Sequence, residues 1–272
     1  DLLIYEPDYL VNISSIAACF QPEGTSVLQY LYGKFQPQHY SWQIELGNLA
    51  GELLDLEVHR KPFVVEDIIR RFAQKKALIC ASLGNHFENI VHEAHQQAGH
   101  IAHVLNVLLP QASENYQRDA LLLEPSFYGQ VLGIEGRMDL LQHDFRLLLE
   151  QKAGQGAFYR KDEEAPRAPQ ESHRIQVLLY QALLRYMFLL ESDATDTFLL
   201  YSKYPKGLLR SELTSSDLYR AITLRNEIVW YEEQYRRGGF RILLQLTPDA
   251  FHRSENESKL WTDYRAPKLQ QW

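Results

Sequence analysis

GRMDLLQHDFRLLLEQKAG, residues 136–154, is the stretch that decides the fold, because two apolar runs meet in it at His143 and Asp144. Two apolar runs joined by a short polar turn are typical of a β-hairpin. The sequence therefore predicts adjacent antiparallel strands at 136–142 and 145–152, with the turn at His143-Asp144 folding the two runs together.

Three charged residues, Asp139, Glu150 and Lys152, lie at the margins of this predicted hairpin. The pairing brings Asp139 near Glu150, and strand alternation puts Glu150 and Lys152 on one face, about 7 Å apart along the strand. Burying such a set with nothing to bind is costly, so these residues either lie on a solvated hairpin edge or bind a cation. Oxygen ligands of this kind select Mg²⁺ or Mn²⁺, the ions of phosphodiester chemistry. The pattern alone leaves both interpretations open.

The composition of the chain limits which classes of protein it can belong to. The chain has 272 residues, 45% of them hydrophobic and 23% charged, which fits one larger α/β unit with a helical addition. No apolar run reaches the roughly 20 residues of a membrane span, so we expect no membrane partner. The chain begins at Asp1 without a basic and apolar leader, which favours an excised domain and an intracellular, cytoplasmic location. The two cysteines, Cys19 and Cys80, are too few for a disulfide framework or a four-cysteine metal site, so both are expected to be buried thiols.

The net charge of −7 argues against a protein that coats nucleic acid, but it does not exclude an enzyme. A nuclease needs clustered carboxylates to hold metal while a local basic surface binds its substrate. The segment 203–241 is a candidate for that surface, because its basic residues outnumber its acidic ones. A solvated helix face with compensating ion pairs is the alternative.

Along the chain, the pattern predicts one continuous domain over 1–272, with no internal repeat and no linker. It divides into a helical lead-in over 1–83, a core over 84–202 and a helical extension over 203–272. Helices are predicted from Pro62, from Gly84 to Pro110, over 173–190 and over 215–237, and strands near 119–124, 129–142, 145–152 and 195–204.

Three motifs together resemble one known family. GIEGRMDLL at 133–141, EQKAG at 150–154 and HRIQVLLYQALL at 173–184 are similar to the PD-(D/E)XK nuclease superfamily, in its RecB-like branch with G-x-x-G-R-x-D, E-x-K and Q-x-x-x-Y motifs. The resemblance covers roughly 84–202. It implies an α/β fold with a central mixed sheet, helices on both faces and a helical N-terminal region, acting as a metal-dependent DNA nuclease. A narrower resemblance, to the nuclease domain of replication nuclease-helicases, rests on three further stretches: PDYLVNISSIAACF, LLYSKY and LRNEIV.

The resemblance assigns roles to six residues. Asp139 and Glu150 become metal-binding carboxylates, with the Gln151 carbonyl as a backbone ligand to Mg²⁺ or Mn²⁺. Lys152 orients or deprotonates the attacking water and stabilises charge on the phosphate. Gln176 and Tyr180 share a helix face and position the scissile strand. Packing with a hydrogen bond inside a buried helix is the alternative for this last pair.

The family also has an upstream ligand near the start of a helix, and Glu88 is our choice for it, with His86 and His92 as rivals. Half of the ten histidines fall in the same predicted helix, which raises the separate hypothesis of a zinc site at His92 and His95. Their three-residue spacing is not that of a zinc protease, and no cysteine is near to complete the site. Histidines facing solvent are the favoured interpretation. His173 is likewise expected to be exposed, at the start of its helix.

Two departures from the family limit what the resemblance implies. No cysteine follows Cys80, so no iron-sulfur cluster is expected. No phosphate-binding loop of the ATPase type occurs either, so the narrower resemblance implies a separate helicase domain after Trp272 in the parent protein. The expected partner is single-stranded or flapped DNA, and its bases could stack on aromatic side chains near the site: Phe158, Tyr159, Tyr201 and Tyr204. The competing hypotheses are a catalytically silent DNA-binding module of the same fold and a zinc-dependent hydrolase.

Overall fold

The computed structural model describes residues 2–22, 24–35, 41–160, 163–212 and 214–239. The part of the predicted extension beyond residue 239 therefore lies outside the described residues. Within these ranges, no helix is both long enough and apolar enough to cross a bilayer. The predicted class is confirmed, because the molecule is a mixed α/β fold with helices on both faces of its main sheet and a helical N-terminal region.

In the described part of the chain, ten strands form three sheets. They are β1 (Val11–Asn12), β2 (Phe20–Gln21), β3 (Gly24–Thr25), β4 (Leu121–Leu123), β5 (Ser126–Gly129), β6 (Ile134–Arg137), β7 (Leu140–Gln142), β8 (Leu147–Lys152), β9 (Asp196–Tyr201) and β10 (Leu208–Arg210). The main sheet has the order β10-β9-β8-β7-β4, in which only β8 and β9 are parallel. A second sheet has the order β1-β6-β5, and β2 pairs with β3.

Nine α-helices occur within the described ranges. They are α1 (Ile13–Ala17), α2 (Leu28–Phe35), α3 (Trp42–Val58), α4 (Val65–Lys75), α5 (Ala77–Leu83), α6 (His86–His103), α7 (Leu109–Ala112), α8 (Glu171–Phe188) and α9 (Ser215–Arg236). Side-chain caps define two of the long ones, since Ser41 Oγ accepts the Ile44 N–H before α3 and Thr214 Oγ1 accepts the Asp217 N–H before α9.

The predicted hairpin is confirmed, with Leu140 opposite Leu149 and Leu141 opposite Leu148 in β7 and β8. The single strand predicted over 129–142 is wrong, because it divides into β6 and β7, which belong to different sheets.

The division is a bend between two paired strands. Glu124, with φ +50°, separates β4 from β5 and donates its N–H to the Asp139 carbonyl, while Met138 donates to the Pro125 carbonyl. The left-handed residue next to a proline turns both strands from one sheet into the other. Asp139 lies at this corner.

Two helical predictions also need correction. The helix expected from Pro62 is broken at Lys76 into α4 and α5. Pro110 does not stop the helix that follows Gly84. Instead, α6 passes into a π-helical turn at Val104–Leu108, and Pro110 lies in the first turn of α7, where its missing N–H is tolerated. The helices predicted over 173–190 and 215–237 correspond to α8 and α9.

Two apolar clusters cover the faces of the main sheet. Leu148 packs with α1, α8 and α9, whereas its neighbours Leu147 and Leu149 pack with α3, α4 and α6. Alternation along β8 therefore decides which helices each side chain meets. Cys19 is buried as predicted, and burial raises the pKa of its thiol to about 12. Cys80 is only half-buried, which corrects the prediction for that residue.

Arg225 ties α9 to the N-terminal segment. Its guanidinium is fully buried and donates to the carbonyls of Tyr5, Glu6, Tyr9 and Gly133. Burial lowers the pKa of Arg225 to about 10, so the group is still charged at neutral pH. A buried charge that meets four carbonyl oxygens is stable only while all of these segments remain in place.

We expect Gly133→Ala to destabilise the protein by about 2–4 kcal/mol. Gly133 has φ +63°, and an added Cβ would lie 2.2 Å from an Arg225 nitrogen. The matched control is Gly99→Ala in α6, where the Cβ meets nothing within 4 Å and the helix gains about 0.5–1 kcal/mol. Urea unfolding of both variants checks this. Equal stability of the two variants would contradict the account of Gly133.

Candidate active site

Strand β8 carries the predicted site residues on two different faces. Glu150 and Lys152 share the face of Leu148 and point toward α8, whereas Gln151 points toward α3, where its side-chain amide donates to the Ala50 carbonyl at 3.2 Å. The parallel neighbour β9 places Tyr201 beside Lys152. Glu150 and Lys152 thus lie at the carboxyl end of β8, under the first half of α8.

A hydrogen-bonded network joins β8 to α8. Lys152 Nζ donates to Glu150 Oε1 at 2.9 Å and to Gln176 Oε1 at 2.8 Å. Gln176 Nε2 in turn lies 2.7 Å from Glu150 Oε1 and 3.2 Å from the Tyr180 hydroxyl, which donates to the Arg137 carbonyl. The two helix residues therefore share a face, as their four-residue spacing predicts, and that face orients Lys152 and Glu150.

Asp139 joins the site from the corner between β6 and β7. Its Oδ2 accepts the Gln151 N–H at 2.6 Å, so the carboxylate is held against the edge of β8. The Asp139 side chain is half-buried, and that of Glu150 is only 3% exposed. The structure thus brings together Asp139, Glu150, Lys152, Gln176 and Tyr180. Their roles stay predictions.

Burial dominates the electrostatics of the two carboxylates. Burial, and after it the Asp139 carboxylate, raise the pKa of Glu150 to about 8, against the opposing effect of the Lys152 ammonium. Burial also raises the pKa of Asp139, against the Lys152 ammonium and the Gln151 N–H. Glu150 Oε2 is buried without a hydrogen-bond partner. A buried carboxylate oxygen that no donor satisfies, beside a second carboxylate, suits a hard divalent cation.

The raised pKa of Glu150 predicts how the metal-free protein responds to pH. The folded state holds the proton more tightly than the unfolded state, whose carboxyl has an ordinary pKa near 4.5. This contribution to stability is complete below about pH 4.5 and is lost as the pH rises through about 8. Below about pH 6.5 the lowered pKa of the half-buried His173 acts in the opposite direction. In EDTA, urea unfolding should therefore show falling stability between about pH 6.5 and pH 8, at up to about 1.4 kcal/mol per pH unit. Glu150→Gln should flatten this slope. A stability that rises across the window in the wild type would contradict the assignment.

Two acidic residues near the site were missed in the sequence. Asp55 of α3 is half-buried, and its pKa is raised by burial, then by Glu124 and, more weakly, by Asp139. Glu124 also raises the pKa of Asp139 and pairs with Arg137 at 3.0 Å. In the sequence, the Glu-Pro pair at 124–125 could have indicated the corner between β6 and β7 where Asp139 lies. Asp55 has a weaker signal in the sequence, since it is a carboxylate between the two leucines Leu54 and Leu56.

The structure does not assemble the predicted upstream ligand with the carboxylate pair. Glu88 is exposed in the first turn of α6. Among the described residues, no group of three or more His, Cys, Asp or Glu side chains could hold a metal ion. Within the described part of the chain, the rivals His86 and His92, and His95 of the hypothetical zinc site, likewise belong to no such group. Sequence distance from a glycine could not show which way a helix residue points.

His173 and two of the aromatic residues are not where we expected them. His173 is half-buried, with Nδ1 2.9 Å from the Tyr201 hydroxyl, and burial together with Lys152 lowers its pKa to about 3. Tyr201 and Tyr204 are buried and so cannot stack on bases. Phe158, which is 80% exposed, and Tyr159, at 38%, stay available for stacking.

The basic residues of 203–241 are largely paired with carboxylates, as in the alternative interpretation. The pairs are Lys203 with Glu93, Lys206 with Glu164, Arg210 with Asp196, Arg220 with Asp217 and Arg237 with Glu233. Arg225 is buried, and Arg241 lies outside the described residues. Of these pairs, Lys206 with Glu164 is exposed on both sides, and an exposed pair is weak.

No protein-family model matches the chain, and no curated protein matches it. Among solved structures, the chain is similar in fold to the crystal structure of a "Putative exonuclease" from Eubacterium rectale, with a TM-score of 0.50. The match covers 85% of this chain and 83% of that chain, at 10% sequence identity. At that identity, the similarity shows the fold alone.

Proposed function

We propose that this chain is a metal-dependent nuclease that hydrolyses phosphodiester bonds in DNA. One observation carries the proposal: Glu150, beside Asp139, has a buried carboxylate oxygen without a hydrogen-bond partner. Lys152, two residues further along the strand, donates to the other oxygen of the same carboxylate. The name of the structurally similar protein supports the same general activity. The motifs of the RecB-like branch of the PD-(D/E)XK superfamily support the finer assignment.

In this proposal, Asp139 and Glu150 hold Mg²⁺ or Mn²⁺, and the Gln151 carbonyl adds a backbone ligand. The ion supplies Lewis-acid activation and a lowered water pKa. Lys152 orients the attacking water and donates hydrogen bonds to the phosphate as its negative charge grows. Gln176 acts through Lys152, because its Oε1 accepts from Nζ at 2.8 Å and thereby fixes where the ammonium points.

On the resemblance of the motifs, we extend the proposal in two ways. The substrate is single-stranded or flapped DNA, and the nuclease works beside a helicase domain in a larger nuclease-helicase. Phe158 is the candidate for base stacking, since it is 80% exposed and follows β8 in a loop.

The test is cleavage of end-labelled single-stranded, duplex and flapped DNA with Mg²⁺, Mn²⁺ or EDTA. We expect products only with a divalent ion, and more from the single-stranded and flapped substrates than from the blunt duplex. DNA binding without any metal-dependent cleavage would overturn the proposal in favour of a catalytically silent module.

A further inference from the structure

Ser14 reaches the candidate active site from the far end of the chain. It lies in α1, the short helix after β1, where the Asn12 side chain caps the Ser14 N–H at 2.9 Å. Its neighbour Ile13 and the following Ile16 are fully buried under α8 and α9, so the helix is held firmly. Ser14, by contrast, is exposed.

The Ser14 hydroxyl joins the network around Gln176. Gln176 Nε2 lies 3.2 Å from Ser14 Oγ, and hydrogen bonding by Ser14 also opposes the rise in the pKa of Tyr180. That amide nitrogen has two hydrogens but three acceptors within reach, namely Ser14, Glu150 and Tyr180. Since a hydroxyl rotates freely and carries its own proton, Ser14 can turn from this network to a ligand on its exposed side.

The amide of Gln176 separates Ser14 from Lys152. Lys152 Nζ contacts one end of the amide, Oε1, and Ser14 Oγ contacts the other, Nε2. Lys152 and Ser14 thus offer two donors, one at each end of the amide group. Two donors placed in this way fit a ligand with two neighbouring anionic groups better than a ligand with one. A nucleic-acid strand presents such groups at every step.

We propose that Ser14 binds the phosphate next to the one that is cleaved, so that the site selects a strand with adjacent phosphates over an isolated phosphodiester. The inference rests on the proposed nuclease function and adds a substrate-binding residue to it. The Ser14 hydroxyl donates to a phosphate oxygen, and Lys152 contacts the neighbouring phosphate.

The test compares Ser14→Ala with Ser14→Thr, which keeps the hydroxyl, and with Ser15→Ala, which makes the same change one residue further round the helix. The first readout is the ratio of kcat/KM for a single-stranded oligonucleotide to kcat/KM for bis(p-nitrophenyl) phosphate, a phosphodiester without a neighbour. We expect Ser14→Ala to lower this ratio about tenfold, as the loss of a hydrogen bond to a charged group implies. Ser14→Thr and Ser15→Ala should keep it within about twofold.

An unchanged ratio in Ser14→Ala would overturn the proposal. Equal losses on both substrates would do so too, because they would mean that Ser14 only holds Gln176 and Lys152 in place.

The second readout is the Kd of the same oligonucleotide in Ca²⁺, measured by fluorescence anisotropy. Ser14→Ala should weaken binding about tenfold and leave the slope of log Kd against log salt unchanged, because a hydroxyl releases no counterion. This readout separates the two proposals. If the wild type binds DNA but cleaves nothing, the proposed nuclease function is wrong. The effect of Ser14→Ala on Kd still tests whether Ser14 binds a phosphate. A Kd that does not depend on Ser14 would overturn it.

Discussion

Replacing Lys152 by Ala should lower the rate of DNA cleavage by about 10³-fold. The Lys152 side chain is only 19% exposed and donates to Glu150 and to Gln176, so its ammonium is fixed before substrate arrives. A preorganised positive charge gains most where negative charge develops, on the phosphate under attack. Removing it should therefore reduce kcat far more than DNA binding.

The matched control is Lys203→Ala. Lys203 pairs with Glu93 at 3.4 Å and lies over the Tyr159 ring, outside the network around Gln176. Initial rates of cleavage, with circular dichroism to verify folding, should separate the two lysines. Wild-type turnover in a folded Lys152→Ala protein, or an equal loss in Lys203→Ala, would contradict the role given to Lys152.

Replacing Asp139 by Asn should weaken Mn²⁺ binding by at least about 100-fold and stop cleavage. Asn keeps an oxygen that can accept the Gln151 N–H, so the corner between β6 and β7 should persist. What is lost is the negative charge that a hard cation requires. Because Asp139 also raises the pKa of Glu150, the variant should hold a deprotonated Glu150 at lower pH than the wild type does.

Isothermal titration with Mn²⁺ measures this change directly. The control is Asp119→Asn, at an acidic residue whose side chain is 90% exposed in a weak pair with Arg60. The control should bind Mn²⁺ as the wild type does. Unaltered Mn²⁺ affinity in Asp139→Asn would remove that carboxylate from the metal site.

Regular spacing made much of the site predictable from the sequence. Period-two alternation put Glu150 and Lys152 on one face, and four-residue spacing put Gln176 and Tyr180 together on α8. Only one further assumption was needed, that the apolar runs around His143-Asp144 pair as a hairpin. That assumption placed Asp139 opposite the end of β8.

Long-range contacts account for what the sequence did not show. The bend at Asp139 is caused on the partner strand, by Glu124 and Pro125, and appears only once the two strands are paired. Asp55 comes near the site because α3 packs on the odd-numbered face of β8. Ser14 arrives from 162 positions before Gln176, a separation at which spacing carries no information.

The most direct test of the central claim, that this cluster is a metal-dependent nuclease site, is one cleavage experiment. End-labelled single-stranded DNA is incubated with the wild type, Lys152→Ala or Lys203→Ala, each in Mn²⁺ and in EDTA. The account predicts products from the wild type and Lys203→Ala in Mn²⁺ only, and none from Lys152→Ala. Cleavage that persists in EDTA or in folded Lys152→Ala would contradict it.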